Sequence, residues 1–136
     1  MQHQVIAELI LSTWPDLTEE QLQLISDNIN VKEIKKNCVI YDAGDLPEQL
    51  AFIIEGKVKI YKNTPGNRCQ ILRIAKKGDF FGYRAHLVGE HHSSSASAFE
   101  NCTLALIPLH VLDRLIRENY NVTMYIIKVL ARQLGK

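Results

Sequence analysis

The sequence predicts a mainly β domain with flanking helices, in which antiparallel strands form a double-stranded β-helix, a jelly-roll-like β-roll. Glycines suited to turns recur along the middle of the chain, at Gly44, Gly56, Gly66, Gly78 and Gly89. Short β-prone runs lie between them, as is typical of antiparallel rolls and sandwiches. Helical periodicity appears at the two ends. We therefore expect N-terminal helices that pack on the roll in residues 1–30, the roll in 31–108, and C-terminal helices in 109–136.

The composition is that of one ordinary globular domain. The 136 residues are 46% hydrophobic, which is enough for a buried core. The net charge is +1, from 16 basic and 15 acidic residues, whereas a domain that holds DNA by itself usually has a marked basic excess. No apolar run has the length of a membrane span, and no signal-peptide pattern is present. We expect a cytoplasmic protein without a membrane partner.

The three cysteines, Cys38, Cys69 and Cys102, are far apart, odd in number and without a CxxC pair. This spacing does not fit a disulfide framework or an iron–sulfur site. We expect three isolated, buried thiols.

Two helices are predicted before the roll. Residues 5–11 form an apolar run that is compatible with the first helix. Thr18 and Gln21 then have the spacing of a capping box, in which each side chain binds the backbone N–H of the other residue. Apolar residues follow at helical spacing and predict a second helix over residues 18–29.

Alternating or wholly apolar runs predict strands at residues 31–36, 38–41, 50–54, 57–61, 69–75 and 101–107. The fourth run alternates most clearly, with Val58 and Ile60 facing inward while its lysines and Tyr61 face outward. The fifth run returns antiparallel to it, with Leu72 and Ile74 on one face.

The sequence after the last predicted strand is helical. Pro108 suits the first turn of a helix, and apolar residues follow it at helical spacing. A last helix is predicted over residues 122–134, and its apolar face is broad. Because such a face on a terminal helix needs a partner, we expect a homodimer that forms through this helix.

Residues 78–100 outline a site for a small ligand. A Gly-Asp turn leads into two aromatic residues, and Gly82 then opens a short segment that ends near Val88. A loop with the His91–His92 pair follows, and a run of serines and alanines begins the next strand. The order strand, glycine turn, helical turn, loop, strand is typical of a pocket in a β-roll.

Four segments, in this order and spacing, carry a family resemblance: the Asp-Ala-Gly-Asp turn at 42–45, the FIIEGKVKIY hairpin at 52–61, the Gly-Asp-Phe-Phe-Gly run at 78–82 and the exit strand at 104–108. Together they resemble the regulatory domain of the catabolite-activator/fumarate-nitrate-regulator (Crp/Fnr) family of bacterial transcription regulators. The resemblance covers about residues 30–136, and the N-terminal helices also fit it.

This resemblance implies a non-enzymatic, effector-sensing domain with a cyclic-nucleotide-binding-like β-roll. In the family, ligand in the roll shifts long helices that pair two subunits and so changes the spacing of two DNA-binding domains. The last helix here would begin that dimerisation helix. Tyr125 and Lys128 on it are candidates to close the pocket. DNA would be bound only through a domain that this chain does not contain.

The resemblance also places the cassette that binds cyclic AMP in the family, which carries a Glu for the ribose hydroxyl and an Arg for the phosphate. Tyr83 stands at the Glu position and His92 at the Arg position, so both charged contacts are replaced. Arg84 takes the place of a core Leu, whereas Ala85 and Ser93 fit the pattern. The candidate ligand-binding residues are Leu72, Gly82, Tyr83, Arg84, Ala85, His92, Ser93, Ser94, Tyr125 and Lys128.

These replacements leave the ligand open. No cofactor is assigned, and a nucleotide or another small anionic effector is the expected ligand. Arg84 is either an anion ligand or a solvated surface residue. The alternative functions are a dimerisation module with a vestigial pocket and a cupin-like metal-dependent enzyme. His86 and Glu90 lack the cupin spacing, and adjacent histidines on an extended segment point to opposite sides, so we expect no metal site. Haem binding through His86 or His92 also stays open.

Overall fold

A computed structural model of the chain describes residues 2–66 and 68–135. Met1 and Lys136, which the sequence assigns to the terminal helical regions, and Asn67, beside the predicted turn at Gly66, lie outside the described residues. The chain divides into two compact units. One unit combines the N-terminal residues up to Asn28 with the residues from His110 onward, and the other is Ile29–Leu109.

The helices and strands follow the predicted order, with helices at both ends and strands between them. The helices are α1 Gln2–Thr13, α2 Glu19–Asn28, α3 Arg84–Val88, α4 Leu109–Glu118 and α5 Tyr120–Leu134. The strands are β1 Asn30–Ile34, β2 Val39–Tyr41, β3 Gln49–Glu55, β4 Val58–Thr64, β5 Arg68–Ala75, β6 Phe80–Phe81, β7 Ser95–Ala98 and β8 Cys102–Pro108.

The strands form two four-stranded sheets. The order is β1-β8-β3-β6 in one sheet and β2-β7-β4-β5 in the other, and neighbouring strands run antiparallel. The core lies between the sheets, because buried residues of both, such as Ile53 and Leu104 from one and Val58 and Ile60 from the other, belong to one cluster. This arrangement confirms the predicted β-roll.

Tyr61 corrects one detail of the predicted strand pattern. It alternates with Val58 and Ile60 and lies on the other face of β4, yet its side chain is buried. Its hydroxyl and the Oγ of Ser97 are 2.8 Å apart, and the Nζ of Lys59 lies 4.8 Å from its ring centroid. Neighbouring side chains therefore cover the ring on the outer face of the sheet.

The capping box predicted before α2 is present. The N–H of Gln21 donates to the Oγ1 of Thr18, and the N–H of Thr18 donates to the Oε1 of Gln21, both at 3.1 Å. Asn119 caps α5 in the same unit, since its Oδ1 accepts the N–H of Asn121 at 3.0 Å. Among the described residues, no helix is long and apolar enough to cross a membrane.

Two predictions about single residues are wrong. Pro108 does not begin a helix, because it ends β8 opposite Gln49, where a missing N–H is tolerated at a strand end. Of the three thiols, Cys102 is buried, whereas Cys38 and Cys69 are exposed. Cys38 precedes a short strand, and Cys69 lies on β5, a strand at the edge of its sheet, so the core covers neither.

Candidate functional site

The cassette is built by the chain that leaves β6. Gly82 has φ +90°, and α3 follows it and is capped at its C-terminus by Gly89, which has φ +74°. A Cβ at position 82 would lie 3.0 Å from the carbonyl oxygen of Gln49 and 3.6 Å from Cε2 of Tyr41. Both the backbone conformation and the available space therefore require glycine here. Tyr83 comes next, and its side chain is buried.

The loop after α3 is attached to the turn at residues 42–45. The N–H of His92 donates to the carbonyl of Asp45 at 2.9 Å, and the N–H of Gly44 donates to the carbonyl of His92 at 2.8 Å. The Oγ of Ser95 accepts the N–H of Ala43 at 2.9 Å. These hydrogen bonds hold the backbone at His92 against the turn.

His92 stacks on Tyr41. The two ring centroids are 3.8 Å apart, and the ring planes are 10° from parallel. Burial lowers the pKa of His92, and the nearby Asp45 carboxylate opposes this shift only in part. The lowered pKa favours the neutral imidazole near neutral pH, and the placement of His92 at the arginine position of the Crp/Fnr pattern stays a prediction.

This burial makes stability depend on pH. The unfolded chain protonates His92 near its usual pKa of about 6.5, whereas the folded chain protonates it at a lower pH. The contribution of His92 to the free energy of unfolding is therefore complete above the pKa of the unfolded chain. It is lost as the pH falls from that pKa towards the lower pKa of the folded chain. We expect urea unfolding to show a steeper loss of stability on acidification for the natural chain than for His92→Phe, which keeps a ring on Tyr41. Equal slopes for the two proteins would contradict this assignment.

Tyr41 and Arg73 belong to this site, although the sequence did not single them out. Arg73 on β5 pairs with Ile60, and its Nη2 lies 3.4 Å from the carbonyl oxygen of Phe80 on the other sheet. Burial raises the pKa of Tyr41 to about 12, and the positive charges of Arg73 and Arg84 oppose the rise. No local pattern marks these residues, because the pairing of distant strands brings them to one face.

The other candidate residues are spread over several environments. Arg84 and Ser93 are exposed, whereas Ala85 and Ser94 are half-buried. Leu72 is 48% exposed and lies where the pairing of β4 with β5 shifts register.

Tyr125 and Lys128 lie on α5 in the helical unit, where the Tyr125 ring meets Trp14 edge-on at 6.2 Å. Whether any of the candidate residues contacts a ligand stays a prediction.

The described part of the chain contains no cluster of metal-ligating side chains. No group of three His, Cys, Asp or Glu side chains in residues 2–66 and 68–135 is arranged to hold a metal ion. The Nδ1 of His91 lies 2.9 Å from the carbonyl oxygen of Gly44, so this ring binds the turn beside it.

Comparison with known proteins agrees with this fold. The family model of the cyclic nucleotide-binding domain matches residues 31–119. The sensor domain of the transcriptional regulator DNR from Pseudomonas aeruginosa has the same fold, with a TM-score of 0.84 at 20% identity; the match covers 97% of this chain and 90% of that one.

Two curated relatives contain this domain within longer chains. The chain is 32% identical over 120 residues to a cGMP-dependent protein kinase of Toxoplasma gondii, covering 88% of this chain and 12% of the kinase. It is 29% identical over 119 residues to the fumarate and nitrate reduction regulatory protein of Vibrio cholerae, covering 87% of this chain and 47% of the regulator. These findings confirm the resemblance to Crp/Fnr regulators. The chain belongs to the cyclic nucleotide-binding domain family.

Proposed function

We propose that this chain is the effector-sensing domain of a Crp/Fnr-type transcription regulator and that a small anionic effector binds at its cassette. The observation that carries the proposal is the cluster at Gly82, whose glycine turn lies beside the Tyr41 ring. The positive charges of Arg73 and Arg84 oppose the rise in the pKa of Tyr41 that burial causes, which adds both arginines to this cluster. Positive charge is therefore present at the cassette even though Tyr83 and His92 replace the usual charged contacts.

In this proposal the domain is a cytoplasmic sensor and not an enzyme. Bound effector would favour one arrangement of the C-terminal helices, and coupling requires that the effector bind the two arrangements with different affinity. DNA would be contacted by a separate domain, which agrees with a net charge of +1 for this chain. A part for Tyr125 and Lys128 of α5 in effector binding stays a prediction of the family resemblance.

A second function is a dimerisation module whose site no longer binds a ligand. The stack of His92 on Tyr41 favours it, because two rings 3.8 Å apart leave no space between them for a ligand group. The two functions make opposite predictions about binding at the cassette.

Calorimetric titration separates the two functions. We expect saturable heat when the purified chain is titrated with at least one member of a panel of cyclic nucleotides, nucleoside monophosphates and small organic acids. Arg84→Ala should weaken that binding by about tenfold to a hundredfold, since a hydrogen bond to a charged group contributes about 1.5 to 3 kcal/mol. If no compound of the panel gives heat of binding, the dimerisation module is favoured.

Dimerisation through α5 is a separate prediction. Tyr120, Ile127 and Leu134 are 75%, 50% and 86% exposed, and their seven-residue spacing aligns them along one stripe of the helix. We expect the chain to sediment as a dimer and Ile127→Glu to shift it to monomer, because a charge in an apolar seam is costly. Asn121→Glu adds the same charge at an exposed polar position of α5 and should leave the dimer intact. A natural chain that stays monomeric at high concentration would contradict this seam.

A further inference from the structure

Arg73 projects from one sheet of the roll towards the other. Tyr41, Ala96, Ile60 and Arg73 are paired in turn across the four strands of their sheet, so their side chains share one face. Ile60 and Ala96 belong to the core cluster, and Tyr41 packs against it, so this is the inner face. The contact of Arg73 Nη2 with the carbonyl of Phe80 at 3.4 Å satisfies only one of five guanidinium N–H groups.

Arg84 approaches the same place from the cassette. It is the first residue of α3, two positions after Gly82, whose α-carbon faces the edge of the Tyr41 ring. The Arg84 side chain is exposed, and the positive charges of both arginines oppose the rise in the pKa of Tyr41 that burial causes. In the part of the chain that the structure describes, no carboxylate forms an ion pair with either guanidinium.

The two arginines without carboxylate partners indicate the charge of the ligand, in an inference that rests on the proposed function. We propose that the effector is a small dianion, either a phosphate monoester or a dicarboxylate, which is held by Arg73 and Arg84 beside the Tyr41 hydroxyl. Two guanidinium groups without carboxylate partners are neutralised by two negative charges, and arginine binds planar carboxylate or phosphate oxygens through paired N–H donors.

A cyclic phosphodiester suits this cluster less well. It carries one negative charge, so one guanidinium would stay uncompensated when water is displaced. A phosphate monoester carries about −1.5 to −2 charges near neutral pH. 5′-AMP and cyclic AMP share the same nucleoside and differ in this phosphate, so they form a matched pair of probes.

The test is calorimetric titration of the purified chain with 5′-AMP, cyclic AMP, succinate and inorganic phosphate. We expect at least one dianion to bind about tenfold or more tightly than cyclic AMP, and 5′-AMP against succinate distinguishes phosphate from dicarboxylate. Arg73→Met and Arg84→Met should each weaken that binding about tenfold. Arg68→Met removes the same charge from the far end of β5 and should change it less than about twofold.

Arg73→Lys separates charge from geometry. It keeps the positive charge but loses the paired N–H donors, so dianion binding should weaken although the fold is unchanged by circular dichroism. Cyclic AMP binding as tightly as every dianion, or dianion binding that neither arginine variant changes, would overturn the inference while the sensing function stands. If none of these four probes binds but another compound of the wider panel does, the dianion inference is likewise overturned and the sensing function stands. If no compound of the panel binds, both the dianion inference and the proposed sensing function are contradicted.

Discussion

Gly56→Ala is expected to destabilise the roll by about 3 kcal/mol, through left-handed backbone strain together with overpacking. Gly56 has φ +92°, and an added Cβ would overlap the backbone oxygen of Asn101 and lie 2.8 Å from the Sγ of Cys102. The thiol cannot move away freely, because it lies 3.0 Å from the carbonyl oxygen of Lys57 and 3.1 Å from that of Glu100. Urea unfolding followed by circular dichroism measures the loss.

Gly78→Ala is the matched control for this change. Gly78 has φ +90°, nearly the same as Gly56, but nothing lies within 4 Å of an added Cβ. The strain alone should amount to about 1 to 2 kcal/mol. Equal losses for the two variants would show that the crowding at Asn101 and Cys102 contributes nothing.

Asn119→Ala is expected to destabilise the helical unit by about 2 to 3 kcal/mol, because it removes a helix cap and buried hydrogen bonds together. The Oδ1 of Asn119 caps α5, and its Nδ2 donates to the Oε1 of Gln21 at 2.9 Å and to the carbonyl of Asp16 at 3.2 Å. Both Asn119 and Gln21 are buried. The side chain therefore connects the start of α5 to the capped start of α2.

Two further variants divide this effect. Asn119→Ser keeps an oxygen at the cap but loses the amide donors, so it should recover about 1 kcal/mol relative to the alanine variant. Asn121→Ala lies two residues further at an exposed position and should change stability by less than about 0.5 kcal/mol. Thermal unfolding can rank the three proteins. The assignment fails if Asn119→Ala is no more harmful than Asn121→Ala.

The parts of the fold that depend on neighbours in sequence were predictable. The capping box of Thr18 and Gln21 is a local pattern of side-chain and backbone groups, and the structure has both of its hydrogen bonds. The alternation of Val58 and Ile60 likewise gave the inward face of β4. The turn glycines Gly56 and Gly66 likewise marked the connections between β3 and β4 and between β4 and β5, and both have positive φ.

The centre of the site was not predictable in this way. Tyr41 and Arg73 are 32 positions apart, and they share a face only because β7 and β4 pair between their strands. The burial of Tyr61 has the same origin, since Ser97 on another strand meets its hydroxyl. The alternation of residues along one strand shows which face of the sheet each side chain lies on. It does not show which side chains of other strands cover that face.

The central claim is that a small anion binds at the cassette. It is tested most directly by titrating the 15N-labelled chain with 5′-AMP and with cyclic AMP while amide shifts are recorded. We expect saturable shifts that concentrate at Tyr41, Arg73, residues 82–85 and His92, with larger shifts for 5′-AMP than for cyclic AMP. Shifts that concentrate elsewhere on the chain, or an unchanged spectrum with every compound of the calorimetric panel, would contradict it.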